Sequence, residues 1–281
     1  MRIINPVVPL ALVLAAAGIG WITPPPAVLG TQASASPAAQ PARPHPPARP
    51  APRPKGRPFT VCRQDEALPD GAYEINNNNF AGMRECLTGT RGTPDFRVSV
   101  SGASSNSPGS DAYPDLFAGC SWNVCSPRSR LPGKVGALGS LKSTLSTAEN
   151  ADGIWGAGYD MFFDQRPIRD GQAQVESMIW LNSRNAYDPA GMGWPVVRLD
   201  GALWWAMSWE TSNGHQHWRY VQFRKVDPAT RVSDLQLGPF MDYLESRGWI
   251  TPAWYLLNIE AGFEIWKGGT GLAVTNFSLN P

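Results

Sequence analysis

The stretch Glu176-Ser177-Met178-Ile179-Trp180-Leu181-Asn182 alternates between two kinds of side chain. An extended strand sends successive side chains to opposite faces. Ser177, Ile179 and Leu181 then form a packing face, while Glu176, Met178, Trp180 and Asn182 share the other. A strand with a carboxylate and an indole on one side and aliphatics on the other reads as a cleft wall. Working outward, Phe96-Arg97-Val98-Ser99-Val100 alternates, and Tyr159-Asp160-Met161-Phe162-Phe163-Asp164 sets Asp160 beside Phe162 and Asp164. In the run 256–266, Ile259, Ala261, Phe263 and Ile265 make an apolar side. Asn258, Glu260, Gly262, Glu264 and Trp266 make the other. Clusters of Gly, Pro, Asn and Ser separate these runs, a spacing that predicts an all-β sandwich or barrel. One helix interrupts the pattern: Leu237, Phe240, Met241 and Leu244 recur at i, i+3, i+4 and i+7. Ser233 or Asp234 is its expected cap, and Gly248 its expected stop. No internal repeat and no glycine-rich phosphate loop after a strand is visible.

The 281-residue chain divides near residue 58. Residues 1–58 hold 14 of the 27 prolines, no acid and six Lys/Arg. Residues 59–281 hold all 23 acids against 18 basic residues, a domain of net charge −5. That balance argues against a nucleic-acid partner, because phosphate binding needs clustered cations. The 223 residues from 59 onward are enough for a large core and carry 11 of the 12 tryptophans.

Arg2 precedes an apolar run over 7–22 that Pro9 interrupts. It is shorter than the roughly 20 residues of a membrane span, and it suits a secretory signal. Ala33-Ser34-Ala35 is a candidate cleavage site, and its distance from the apolar run keeps an uncleaved anchor open. The expected organisation is a signal peptide or signal anchor over 1–35 and a Pro/Ala/Arg-rich linker over 36–58. A catalytic or binding domain then fills 59–281. Proline lacks the backbone donor and fixes φ, so the linker favours extended polyproline II. A secreted or cell-surface location is expected, with the apolar segment as an optional membrane tether and the protein as a monomer. The four cysteines, Cys62, Cys86, Cys120 and Cys125, agree with export and point to two disulfides. Three pairings are open. One of them closes the short 120–125 loop and leaves Cys62 with Cys86.

Three strands therefore carry a carboxylate flanked by aromatic residues. Carboxylates are rarely buried without a partner or a task. Flat aromatic faces can stack on sugar rings, and acids beside them can supply the proton transfer and nucleophile of glycosidic cleavage. The same pattern also fits solvent-facing acids on an ordinary sandwich with tryptophans in its core. His215-Gln216-His217 puts two imidazoles on one side of an extended stretch without an evident third metal ligand. Trp204, Trp205, Trp209 and Trp218 read as a mixture of core and cleft residues. Asn76 to Asn79 read as turn chemistry or, for Asn77 or Asn78, as a cleft contact. Asn276-Phe277-Ser278 is a glycosylation sequon by pattern, set within a predicted strand.

Tyr73-Glu74-Ile75-Asn76-Asn77-Asn78-Asn79-Phe80 resembles the first strand of the family 12 glycoside hydrolases. Tyr113-Pro114-Asp115-Leu116-Phe117-Ala118-Gly119-Cys120-Ser121-Trp122-Asn123-Val124-Cys125-Ser126 resembles their cysteine-bounded segment. The Glu176 stretch is similar to their E-x-M-I-W strand, and Ala261-Gly262-Phe263-Glu264-Ile265-Trp266 to their A-G-F-E-x-W strand. Gly271-Leu272 to Phe277-Ser278 resembles their closing strand. The motifs occur in order across almost all of 59–281.

The resemblance implies a jelly-roll β-sandwich of two curved antiparallel sheets. A glucan cleft would lie on the concave side and one helix on the convex side. It implies endo-hydrolysis of β-1,4-glucans such as cellulose with retained configuration, and no metal or organic cofactor. Glu176 matches the family nucleophile, Glu264 the acid/base, and Asp160 the acid that hydrogen-bonds the nucleophile. Asn78, Phe80, Trp122, Met178, Trp180, Pro189 and Trp266 are the implied substrate contacts, with Pro189-Ala190-Gly191 in a loop bordering the cleft. A retaining mechanism sets its two carboxyls about 5–5.5 Å apart, within reach of facing positions on neighbouring strands. Two positions depart from the pattern. Phe80 replaces a tryptophan, and Glu260 stands where an amide is more usual, where a substrate hydroxyl could meet it. Rival readings are a carbohydrate-binding protein without turnover, the same enzyme acting on xyloglucan or mixed-linkage β-glucan, and a structural surface protein.

Overall fold

The computed structural model describes residues 56–64, 66–105 and 109–280. The leader expected over 1–35, and the linker up to residue 55, lie outside the described residues.

The alternating runs form two packed sheets. In the twelve-stranded sheet, Tyr255–Gly268, Gly153–Asp164 and Val175–Arg184 lie side by side at the centre. Beyond Val175–Arg184 come His217–Lys225, Ala202–Ser212 and Val196–Leu199. Beyond Tyr255–Gly268 come Asp115–Ser121, Tyr73–Asn77 and Glu66–Asp70. Pairing along this path is antiparallel, except that His217–Lys225 runs parallel to Val175–Arg184. The second, six-stranded sheet runs Pro58–Val61, Glu85–Thr90, Phe96–Ser101, Ala273–Asn280, Lys142–Ala148, Arg231–Gln236. The core fills the space between the sheets. Ile179, Leu181, Ile259 and Phe263 from the larger sheet meet Leu87, Val98, Leu145 and Phe277 from the smaller. These inward sets are the packing faces that the alternation predicts.

The helix is Gly238–Ser246, and it buries Phe240, Met241 and Leu244. Phe240 packs edge-on against Trp204 at 5.0 Å and Phe223 at 5.2 Å, which fixes the helix on the core side of two strands. Its start differs from the expectation. Ser233 and Asp234 belong to the strand Arg231–Gln236, and Leu237 precedes the first turn with no side-chain cap. Pro239 instead supplies a first-turn residue that needs no hydrogen-bond acceptor. The stop is as expected. Gly248 has φ +71°, its N–H bonds Glu245 O at 2.9 Å, and Trp249 N–H bonds Leu244 O at 3.1 Å. That pair of bonds satisfies the last carbonyls around a left-handed residue.

Of the three pairings, the structure contains Cys62–Cys86 and Cys120–Cys125. Asn276-Phe277-Ser278 lies within Ala273–Asn280, with Phe277 in the core. His215 and His217 stand at an exposed hairpin whose turn is held by Asn213 Oδ1, which accepts from the His215 and Gln216 amides. Among the described residues no group of three or more His, Cys, Asp or Glu is arranged to hold a metal.

Candidate active site

The larger sheet turns one face to the core and the other to a cleft. Strand parity puts Glu176, Met178 and Trp180 on the cleft face, because Ser177, Ile179 and Leu181 point inward. In the same way Ile259, Ala261, Phe263 and Ile265, all fully buried, leave Asn258, Glu260 and Glu264 on the cleft face. Tyr159, Met161 and Phe163 occupy the core and leave Asp160 outward. The expectation that the two glutamates stand on neighbouring strands does not hold: one strand separates them. Gly153–Asp164, carrying Asp160, lies between them.

The charges interact across that intervening strand. Burial pushes the Glu176 carboxyl up to about 7, while a hydrogen bond from Trp218 lowers it. Burial, then the charge of Glu176, pushes Glu264 up to about 8, with Ser110 lowering it. Asp160 is held well above the usual carboxylate range, first by burial and then by Glu176, Glu260, Glu264 and Asp115. Both glutamates are raised, and the charge of Glu176 adds to the burial that favours a proton on Glu264.

The hydrogen bonds fix these groups. Trp218 Nε1 donates to Glu176 Oε2 at 2.6 Å, and Ser110 Oγ donates to Glu264 Oε1 at 3.0 Å. Tyr220 Oη donates to Met178 Sδ at 2.7 Å. Ser110 is steadied by its neighbour Asp111, whose carboxylate accepts from the Ser104 and Ser105 amides at 2.8 and 3.0 Å. Neither Trp218 nor Ser110 stands out in the sequence as a partner of an acid. Trp218 belongs to a strand whose parallel pairing is not local, and the serine-rich loop before Asp111 reads as turn chemistry.

A cavity of about 650 Å³ opens beside Glu176, lined by Asn78, Phe80, Trp122, Asn213 and Trp218 among others. Phe80 is 51 % exposed and Trp122 61 % exposed, so both offer open ring faces. Trp122 sits at φ +44° in the turn that Cys120–Cys125 closes. Asn78 lines this cavity, whereas Asn77 is buried and donates from Nδ2 to the carbonyl of Arg63 at 3.0 Å.

Three expected contacts sit differently. Trp180 is 1 % exposed and lies in a cluster with Tyr113 and Met178, its ring 5.8 Å from Trp266 and 5.6 Å from Tyr187. It is the support beneath the cleft, with no free face for a sugar, and half-buried Trp266 packs edge-on against it. Gly156 makes room for it, since a Cβ there would come within 2.5 Å of the indole. Glu260 is 2 % exposed and accepts from Asn258 Nδ2 at 2.9 Å, which removes it from a substrate's reach. Pro189 is buried in its loop, outside the Asn78–Trp122 cavity, and its carbonyl accepts from the Trp194 amide. A further set of rings continues from Tyr187 through Trp194 and Trp209 to Tyr220, at centroid spacings of 5.5, 6.5 and 4.4 Å. Trp204 is in the core, while Trp209 is 40 % exposed at the end of that set.

A two-sheet sandwich with hydrogen-bonded acids gathered on an aromatic-lined face is the arrangement of a glycoside hydrolase. The model of glycosyl hydrolase family 12 matches residues 71–280, and the chain belongs to that family. It is 32 % identical over 149 residues to a probable cellulase, Cel12b, of Mycobacterium tuberculosis, covering 53 % of this chain and 95 % of that protein. Among solved structures, a metagenome-derived family 12 endoglucanase superposes with a TM-score of 0.73 at 33 % identity, covering 80 % of this chain and 98 % of the other. Endoglucanase cel12A from Rhodothermus marinus superposes with a TM-score of 0.71 at 31 % identity, covering 79 % and 98 %.

Proposed function

We propose that the protein is an exported endo-β-1,4-glucanase that cleaves internal bonds of cellulose-like glucans with retention of configuration. The observation that carries this reading is the convergence of Glu176, Asp160 and Glu264 on one cleft face, with Trp218 donating to Glu176 and Ser110 to Glu264 beside an aromatic-lined cavity. Glu176 attacks the anomeric carbon, while Glu264 gives its proton to the departing glucosidic oxygen. A glycosyl ester on Glu176 results. Glu264, now a carboxylate, takes a proton from water as that water attacks the same carbon, and the electron pair of the ester bond returns to Glu176. Asp160, held neutral between the two, orients the Glu176 carboxyl by sharing its proton. Phe80 and Trp122 stack on glucose rings away from the scissile bond, and Asn78 meets a hydroxyl. Met178, 2 % exposed and covered by Tyr220, backs the floor beneath the reacting sugar without an open face toward it. The segment before residue 59 directs export, with its apolar run serving as a signal or as a membrane tether.

Reducing-end release from carboxymethyl cellulose, mixed-linkage β-glucan and xyloglucan tests the reading and ranks the substrates. The parent is expected to be active, and Glu176→Gln and Glu264→Gln to lose several orders of magnitude. Glucan binding without release by the parent would instead identify a carbohydrate-binding protein.

A further inference from the structure

The donor on Glu176 comes from an unusual place. His217–Lys225 is the one strand on the larger sheet's nine-strand path that runs parallel to its neighbour, and it pairs Tyr220 with Glu176. Trp218, two residues earlier, shares that face and reaches diagonally to the carboxylate at 2.6 Å. The indole N–H is a donor only. It can stabilise a carboxylate but offers no lone pair to a protonated acid. The titratable groups that face Glu176, each raised by its charge, are Tyr220 on the adjacent strand, Asp160 on the strand opposite, and Glu260 and Glu264 one strand further. Each is acidic, and none brings a positive charge. Arg219, on the same strand as Trp218, takes the opposite face and pairs with Glu210.

We propose that Trp218 is a positioning residue that holds Glu176 as a carboxylate with one oxygen free for attack, and that it assists chiefly the second half of the reaction. The inference rests on the reading of Glu176 as nucleophile. In the first half, one Glu176 oxygen bonds to the anomeric carbon as the glucosidic bond breaks and Glu264 protonates the leaving oxygen. The charge that the indole N–H served is spent in the ester, so the hydrogen bond weakens. In the second half, the water oxygen bonds to that carbon, its proton passes to Glu264, and the ester C–O bond breaks with its electron pair returning to Glu176. The N–H then meets a growing negative charge. A donor aimed at charge that develops during a step lowers the barrier to that step. Loss of the donor therefore slows hydrolysis of the ester and makes Glu176 harder to ionise.

The test uses the full chain and an aryl β-cellobioside with a good leaving group, so that ester hydrolysis limits turnover. Trp218→Phe keeps an aromatic ring and removes the donor, and Trp218→His restores an N–H. For Trp218→Phe we expect kcat to fall roughly tenfold to a hundredfold, the weight of one hydrogen bond to a charged group. KM should fall with it, the glycosyl-enzyme should accumulate in intact-mass spectra, and the acid limb of kcat/KM should move to higher pH. Trp218→His should recover part of kcat. A raised KM with unchanged kcat and acid limb would overturn the proposal and leave Trp218 a stacking surface. Equal loss in both variants, with no accumulated ester and no moved limb, would overturn it too. If the parent is inactive on every glucan, the reading of the site fails first. If the parent is active and Glu176→Gln is not, a negative result falls on Trp218 alone.

Discussion

Glu85 offers a test of the fold's electrostatics away from the cleft. It lies in Glu85–Thr90 of the smaller sheet with no exposed surface, and neither carboxyl oxygen has a hydrogen-bond partner. Burial pushes its pKa up to about 8, whereas a glutamate in an unfolded chain titrates near 4.3. Between those values the native state keeps a proton that the unfolded chain has released. Stability falls as pH rises wherever the native state binds more protons. Each unit of pH in the window is worth about 1.4 kcal/mol, so the ceiling between pH 5 and pH 8 is about 4 kcal/mol. Relaxation around the charge reduces that, and we expect about 2–4 kcal/mol from this residue. Glu85→Gln removes the titration at nearly constant volume. Urea unfolding of parent and variant at the two pH values measures it, and contributions from the other buried acids cancel in the difference. Absolute stability of the variant does not decide the matter, because the new amide needs its own partners. Parent and variant with the same pH dependence would refute the reasoning.

Three further outcomes follow from the site. Gly156→Ala sets a methyl carbon 2.5 Å from the Trp180 ring, an overpacking expected to cost about 1–3 kcal/mol and to lower kcat through Met178. An unchanged melting temperature would contradict it. Glu176→Gln removes the charge that helps hold Glu264 near 8, so the Glu264 carboxyl should titrate at lower pH, readable by carbon-13 NMR. An unmoved titration would mean that the two groups are not coupled. Trp122→Ala removes an exposed ring from the cavity wall and should raise KM roughly twofold to tenfold with kcat nearly unchanged. A fall in kcat at constant KM would place Trp122 nearer the chemistry than the structure does.

The face that each acid takes was legible from alternation alone, because strand parity is a local property. Glu176, Asp160 and Glu264 share the cleft side for the reason that Ile179, Met161 and Phe263 share the core. Depth was not legible. Trp180 and Glu260 point the same way as Glu176, yet both are covered, because the aromatic cluster and Asn258 close over them. Strand order is not legible either, because pairing between distant segments leaves no local period, and so alternation does not show the strand between the two glutamates. Trp218 and Ser110 reach their acids across long sequence separations, 42 and 154 residues, where no local period carries information. The helix cap failed for a different reason. Ser233 and Asp234 have capping chemistry, but they form a bulge within the strand, with Asp234 at φ +54°, and Leu235 beyond them is drawn into the core.

In this mechanism Glu176 bonds covalently to the sugar while Glu264 manages the proton. Incubation with an activated 2-deoxy-2-fluoro-β-cellobioside tests this most directly, since the fluorine slows the second step and preserves the ester. Peptide mass mapping should find one sugar adduct per chain, on the peptide containing Glu176, and none in Glu176→Gln. Turnover of the natural substrate with no adduct, or an adduct on Asp160, Glu260 or Glu264, would contradict the account.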